Sequence, residues 1–365
     1  MIKVLQILTS LNCCGGVENY VYNYYKHIDR SRIQFDFLIH GTPETENFIG
    51  KVEAMGAKVF VFDCLNLKTI KINEKRFYEL LEKNHYDVIH DHMANSAFLY
   101  LKVAKKCGIE NRVLHSHQSR AADQLSHRIR NKPLLIMGNH WATQRAAVSK
   151  IAGDYLFGNK PYAIINNCID GERFAYSDKD REEIRSQYRI SKQDFVIGHI
   201  GRMCPQKNQE YLLKILKSLK EKNINCKVLF VGGGEDKERL VEQAKELGVS
   251  DFVLFVGNQE DSSKFYSSFD VFVLPSLYEG LPTVGIEALY NGLEIITSDN
   301  VTTEMDVENR VAHLSLKDLS LWIDKIVDVY RCGPRNRKIG TSAMTKYNID
   351  IQAPKLLEYY IDMIK

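Results

Sequence analysis

The chain has 365 residues, 44% of them hydrophobic and 26% charged, with a net charge of +3. That length is long for one core and comfortable for two domains. The near-balanced charge gives no footing for a nucleic-acid partner, and the ordinary usage of Gly and Pro excludes a low-complexity or fibrous chain.

Met1 to Leu8 begins directly on a strand pattern, too short and too interrupted for a signal peptide. Gly15-Gly16 then turns the chain into a helix over Val17 to Ile28. Strands follow at Phe35 to Ile39 and Lys58 to Phe62, a helix at Glu74 to Lys83, a strand at Asp87 to His90, a helix at Ser96 to Lys106 and a strand at Arg112 to Ser116. Ser119 to Gly138 carries Arg120, Arg128, Arg130 and Lys132 before Leu134-Leu135-Ile136-Met137. It reads either as a charged loop before a core helix or as a segment lying on an anionic membrane surface. Ala146 to Val148 and Ala163 to Ile165 are the last strands of this half.

A polar segment, Asn166 to Asp194, divides the chain, and the alternation restarts. Strands are expected at Phe195 to Ile200, Val228 to Val231, Val253 to Val256, Val271 to Leu274 and Ile295 to Thr297. Helices are expected at Gln209 to Lys220, Lys237 to Leu247, Ser262 to Ser268, from Thr283 onward, at Asp318 to Tyr330 and at Ile351 to Ile364. Repeated strand–helix units predict parallel sheets covered on both faces, here two Rossmann-like domains facing across a cleft, with ligands at the carboxyl ends of the strands. No run approaches the roughly eighteen apolar residues that span a bilayer. Eight scattered cysteines without a C-x-x-C pair argue for a reducing compartment and against a zinc ribbon. The expectation is a cytoplasmic protein.

The chemistry concentrates at strand ends. Gly15-Gly16 lets backbone approach a phosphate closely, or is a plain tight turn. His90 with His92, and His115 with His117, alternate at two strand ends; no Cys or carboxylate set completes a tetrahedron with them, so no metal is expected. Arg202 and Lys207 share one loop and can neutralise a diphosphate without a metal, each contact near ~4 Å being worth about 4 kcal/mol at an effective dielectric near 20; the bland reading is two solvated cations. Val231-Gly232-Gly233-Gly234 fails the dinucleotide fingerprint because Lys237 stands where the third glycine belongs. Asp178-Lys179-Asp180 reads as a helix-capping cluster. Glu279 lies in the loop Leu277 to Pro282, and Glu287 lies one turn into the next helix. Gly280 and the helix start between them form a natural anion site. The carboxylates suit hydroxyl groups at either end of that anion, which describes a sugar nucleotide; the bland reading is a surface Glu and a dipole-stabilised helix Glu.

Glu279-Gly280-Leu281-Pro282 with Glu287 resembles the E-x7-E signature of retaining GT-B glycosyltransferases, family 4. Gly15-Gly16-Val17-Glu18 matches that family's G-G-x-E, and Gly201-Arg202 with Gln206-Lys207 matches its donor-phosphate pair. The resemblance covers nearly the whole chain. It departs at Asn167-Cys168-Ile169-Asp170, where Asn-Gly-Ile-Asp is usual, and at Gly292-Leu293-Glu294, where a proline is common.

The resemblance implies an acceptor-binding domain over 1–170, a nucleotide-sugar domain over 171–345, and a C-terminal helix, 346–365, crossing back to the first. It implies that Glu279 meets the donor sugar, Glu287 the ribose, Gly280, Leu281, Pro282 and Thr283 the diphosphate, Gly15 and Gly16 the same diphosphate, and Gly233 and Asn258 the nucleotide pocket. It places His117 near donor and acceptor, with Arg202 and Lys207 stabilising the leaving phosphate. The activity implied is retaining, metal-independent sugar transfer from a nucleoside diphosphate, UDP, with no cofactor. Asp299 to Leu316 resembles the capsule and exopolysaccharide branch, which suggests a saccharide acceptor on a polyprenyl carrier. Peripheral contact with the inner face of the membrane through 119–138 would go with it. A sugar-nucleotide 2-epimerase of the same fold, or a non-catalytic nucleotide-binding partner, are the alternatives.

Overall fold

The computed structural model describes residues 1–13, 15–44, 47–118, 125–307, 309–333, 336–337 and 345–365, the side chains of 125–130 apart. The chain divides into two compact units, Met1–Cys168 with Ile349–Lys365, and Ile169–Asn348.

The first unit is a parallel sheet of β1 (Ile2–Ile7), β2 (Ile33–His40), β3 (Val59–Phe62), β4 (Val88–Asp91), β5 (Asn111–Ser116), β6 (Gln144–Ala147) and β7 (Ala163–Ile164), in the order β3-β2-β1-β4-β5-β6-β7. Its crossovers carry α1 (Gly16–His27), α2 (Ile49–Ala54), α3 (Ile70–Lys83), α4 (Ala97–Lys106), α5 (Leu125–Trp141) and α6 (Lys150–Phe157). Both faces are covered, which is why β2 is nearly all buried, Asp36 and His40 included. The order reverses between β1 and β4, so their carboxyl ends flank a switch point where ligands of such sheets bind.

The second unit begins, after a short polar stretch, with α7 (Asp178–Gln187). Its sheet pairs β8 (Phe195–Ile200), β9 (Cys226–Val231), β10 (Val253–Gly257), β11 (Val271–Leu274), β12 (Ile295–Ser298) and β13 (Val311–Leu314) in the order β10-β9-β8-β11-β12-β13. The switch point lies between β8 and β11. The helices are α8 (Gln209–Glu221), α9 (Lys237–Glu246), α10 (Ser263–Ser268), α11 (Thr283–Tyr290) and α12 (Leu319–Cys332). In α8, Leu212, Leu213, Ile215, Leu216 and Leu219 are all buried on one face, each worth roughly 1.5–3 kcal/mol of burial. Arg181 and Arg185 of α7 both pair with Asp270, whose Oδ2 also accepts from Val196 N, and so anchor the entry to β11.

The last helix, α13 (Ile349–Met363), belongs to the first unit. Ala353, Leu356, Leu357 and Tyr360 are buried in the same cluster as β1, β2 and α1.

Three elements escape the sequence pattern, and a fourth, anticipated as a core helix after a charged loop, runs past a proline. α2 is a short helix after a polar loop. β13 is a short edge strand, half-buried throughout. α6 is announced by Ser149, whose hydroxyl accepts from Ala152 N at 3.3 Å, an N-cap that the apolar pattern does not reveal. α5 runs through Pro133, a residue that normally ends a helix. Gly138 seats α5 against α4, since an added Cβ would lie 2.9 Å from Ala97 Cβ. Of the segment 119–138, residues 119–124 lie outside the described part and the rest is this helix. The cap of α7 is Ser177, accepting from Asp180 N, rather than an aspartate as expected; Asp178 and Asp180 occupy the first turn instead. Among the described residues, no helix is long and apolar enough to cross a membrane.

Candidate functional site

In the second unit the loops after β8 and β11 are stitched together. Leu277 N donates to Gln206 O at 2.8 Å, Gln206 Nε2 to Tyr278 O at 3.0 Å, and Asn208 Nδ2 to Pro275 O at 3.0 Å. Asn208 adopts φ of 55°, the left-handed conformation that turns the chain from this loop into α8. The stitching brings Lys207 Nζ to 2.6 Å from Glu279 Oε1, with both side chains largely buried. Gln206 Nε2 lies 3.4 Å from Glu279 Oε2. Glu279 is therefore not a bare carboxylate waiting for hydroxyls; it already carries a cation at one oxygen. Gly280, Leu281 and Pro282 lead from it into α11 and are buried. Thr283 starts that helix, which has no side-chain cap on its first turn. Gly292, at φ of +75°, closes it.

Glu287, one turn in, is half-buried and accepts from Tyr266 Oη at 2.5 Å. Burial pushes its carboxyl up to about 7, although the tyrosine bond pulls the other way. Arg202 is exposed and forks onto Glu235, with Nε at 3.1 Å and Nη2 at 3.0 Å from the same oxygen. The Gly232–Gly234 loop lies against the strand end beside it. Met203 N donates to Gly233 O at 2.6 Å, and a Cβ on Gly234 would sit 2.2 Å from Met203 O. Gly233 faces Asn258, whose Oδ1 would meet a Cβ there at 2.8 Å, so these two residues do share one place. The three glycines are needed for this backbone packing.

In the first unit Gly15 caps α1, and a Cβ on it would lie 1.9 Å from Glu18 Oε2; Gly16 meets nothing. The glycine loop thus faces a carboxylate. Ser10 Oγ holds that carboxylate at 2.6 Å, and burial raises the Glu18 carboxyl above its ordinary range.

The four histidines, given no common centre from their spacing, meet. β4 and β5 pair in the register His90↔Val113, which puts His90, His92 and His115 on one face, with His117 just beyond the end of β5. His90 Nε2 lies 3.0 Å from His115 Nδ1, and His92 Nδ1 lies 2.7 Å from His117 Nε2. Within each strand the rings stack, at 4.4 Å and 4.2 Å between centroids. His90, His92 and His115 bring one ring nitrogen each within 4.8 Å of one another, the spacing of a possible metal set. Both nitrogens of His90 and of His92 are nonetheless engaged, with His115, His117, Tyr360 and Gln6, whereas His115 Nε2 is buried without a partner among the described residues.

Gln206, Glu235, Tyr266, Gln6 and Tyr360 were not visible as site residues. Only Gln206 had a signal, its place beside Lys207.

The description "Glycosyl transferases group 1" matches residues 180–340, and "Glycosyltransferase Family 4" matches residues 14–173. A Bacillus subtilis protein that bears a glycosyltransferase name, EpsF, is 30% identical over 96% of this chain and 93% of its own length. An Escherichia coli UDP-Gal:alpha-D-GlcNAc-diphosphoundecaprenol alpha-1,3-galactosyltransferase is 26% identical over 82% of each chain. Among solved structures, Anabaena HepE in complex with UDP and glucose superposes with a TM-score of 0.79 at 16% identity, covering 99% of this chain and 100% of HepE, a likeness of fold.

Proposed function

Because the chain belongs to the family 4 glycosyltransferases of GT-B fold and is a glycosyltransferase, we propose that it moves a sugar from UDP to a saccharide acceptor carried on a polyprenyl lipid, in capsule or exopolysaccharide synthesis. The transfer retains configuration and uses neither metal nor cofactor.

The observation that carries this reading is the buried Lys207–Glu279 pair leading into the uncapped first turn of α11. An ammonium has three protons. It can keep one on Glu279 and give another to a phosphate oxygen. Glu279 Oε2, which Gln206 Nε2 approaches at 3.4 Å, accepts a sugar hydroxyl as well, and Glu287 takes the ribose. Arg202 moves from Glu235 to the diphosphate, and the backbone N–H groups of Gly280, Leu281 and Thr283 complete the cradle. Gly15 and Gly16 serve as phosphate-contacting backbone in the first unit, and Gly233 and Asn258 line the nucleotide pocket in the second. In the chemical step the bond from C1 to the diphosphate oxygen breaks. The acceptor oxygen bonds C1 on the same face, and its proton passes to the departing phosphate oxygen. Lys207, Arg202 and the helix start stabilise the charge that develops there. His117 meets donor or acceptor hydroxyls.

The Escherichia coli relative, by its name, supports a UDP-sugar and a lipid-linked acceptor for this chain. Contact with the inner face of the membrane is supported by Ile136 and Met137, exposed on α5 beside Lys132, with Lys160 lining the same groove.

The test is calorimetric titration of UDP, GDP and ADP in excess EDTA, against native protein and the Arg202→Ala and Lys207→Ala variants. UDP binding that persists in EDTA and collapses in the variants supports a metal-free diphosphate site. Binding of no nucleotide, or binding abolished by EDTA, overturns it.

A further inference from the structure

The cluster around His117 lies wholly within the first unit, and counting its protons gives the circuit a direction. His90, His92 and His115 are buried, and His117 is half-buried. Burial holds His90 and His117 down to about 3, and His92 and His115 well below the ordinary histidine range. At neutral pH each ring is therefore neutral, with one N–H and one lone pair, and each imidazole–imidazole bond uses one of each.

The count starts at Gln6. Its amide nitrogen, a donor only, lies 3.1 Å from Tyr360 Oη. Its amide oxygen, an acceptor only, lies 2.8 Å from His92 Nε2. His92 must then carry its proton on Nε2 and present a lone pair at Nδ1. That lone pair faces His117 Nε2 at 2.7 Å, so His117 donates from Nε2 and keeps a lone pair on Nδ1. On the other branch, Tyr360 Oη accepts from Gln6 and gives its own proton to His90 Nδ1 at 2.5 Å. His90 Nε2–H then donates to His115 Nδ1 at 3.0 Å, which leaves the His115 proton on Nε2, a buried atom with no hydrogen-bond partner among the described residues. The Gln6 orientation sets the direction: turned over, the amide would reverse every bond in both branches, leave a lone pair instead of an N–H at His115 Nε2, and give His117 an N–H at Nδ1. A metal ion at His90, His92 and His115 would have to displace these bonds, so the hydrogen-bonded circuit is the better account of the cluster.

We propose that Gln6 and Tyr360 are positioning residues that hold His117 in the tautomer protonated on Nε2, so that its Nδ1 accepts a hydrogen bond from a substrate hydroxyl. Tyr360 belongs to α13, so the last helix of the chain sets the chemistry of a residue at the end of β5. The final clause rests on the functional reading given above; the tautomer does not.

The experiment is two-bond proton–nitrogen correlation NMR on protein labelled with nitrogen-15 histidine, the His117 signals being assigned by their loss in His117→Gln. Native protein is expected to show His117 Nε2 protonated and Nδ1 bare. Tyr360→Phe keeps the ring and removes the hydroxyl that pins the amide; Gln6→Leu removes the amide. In either variant that retains a cooperative thermal transition, His117 becomes a mixture of tautomers. Sugar transfer then falls about tenfold in kcat, with the KM for nucleotide sugar unchanged. A native His117 protonated on Nδ1 overturns the proposal, and so does an unaltered tautomer in both folded variants. The expected tautomers in a protein that transfers no sugar would support the assignment and sink the functional reading alone.

Discussion

Lys207 Nζ rests 2.6 Å from Glu279 Oε1, and the two side chains retain 15% and 9% of their exposure. A pair this buried is weak evidence of net stabilisation, but removing one partner strands the other. Lys207→Ala is expected to cost on the order of 3–5 kcal/mol in urea unfolding. The Lys207→Ala, Glu279→Ala double variant should recover part of that loss. UDP affinity should not recover with it, because the cation is gone in both; a loss of about 2 kcal/mol is roughly thirtyfold in Kd. A double variant that binds UDP like native protein would remove Lys207 from the site.

Arg202 offers the contrast. Its side chain and that of Glu235 are 68% and 52% exposed, so the pair adds little to stability. Arg202→Ala should leave the melting temperature within error and weaken UDP binding about tenfold at low salt. The difference from native protein should shrink at high salt, where exposed charges are screened. An Arg202→Ala variant that melts early but binds UDP normally would make the Glu235 pair structural.

What could be read in advance follows from which interactions are local. The strand–helix alternation and the E-x7-E spacing lie along one stretch of chain, and both were legible. Lys207 and Glu279 were each legible by type, but their contact spans 72 positions and exists only because β8 and β11 are neighbours at the switch point. The histidines show why a face is not a site. Alternation placed each pair on one side of its strand; only the β4–β5 register puts the two pairs together. Tyr360 was invisible as a site residue because a single tyrosine in an apolar helix reads as core, and most of its ring is core.

Glu287 gives a pH test of the donor site. Its carboxyl stands at about 7 in the free protein, held up by burial. A hydroxyl donates best to the ionised form, so donor affinity should rise as pH increases through about 7. Glu287→Gln should flatten that profile. Tyr266→Phe removes a bond that lowers the carboxyl's pKa, so the midpoint should move upward. Titration of UDP between about pH 6 and pH 8 measures all three. A native profile that is flat across that window would show that Glu287 does not meet the ligand.

The two buried sets of titratable groups pull stability in opposite directions. The cluster histidines are depressed in the folded chain and near 6.5 when unfolded, so below that pH the unfolded state binds more protons. Their contribution is present above about 6.5 and is lost as pH falls. Asp91, between two of them, goes the other way. Burial pushes its carboxyl up to about 8, so the folded state holds a proton that the unfolded state has released; that contribution is lost as pH rises through about 8. Glu287 has the same sign over a lower window. Four histidines outweigh two carboxyls on the acid side, and Asp91 prevails on the alkaline side. Urea unfolding should therefore show greatest stability near neutrality. His115→Leu should shallow the acid slope without moving the alkaline one, whereas Asp91→Asn should flatten the alkaline slope and steepen the acid one, because the window of that carboxyl runs from its unfolded value near 4 up to about 8. An acid limb unchanged in His115→Leu would mean that this ring is already charged in the folded protein, which the neutral circuit through His90 forbids.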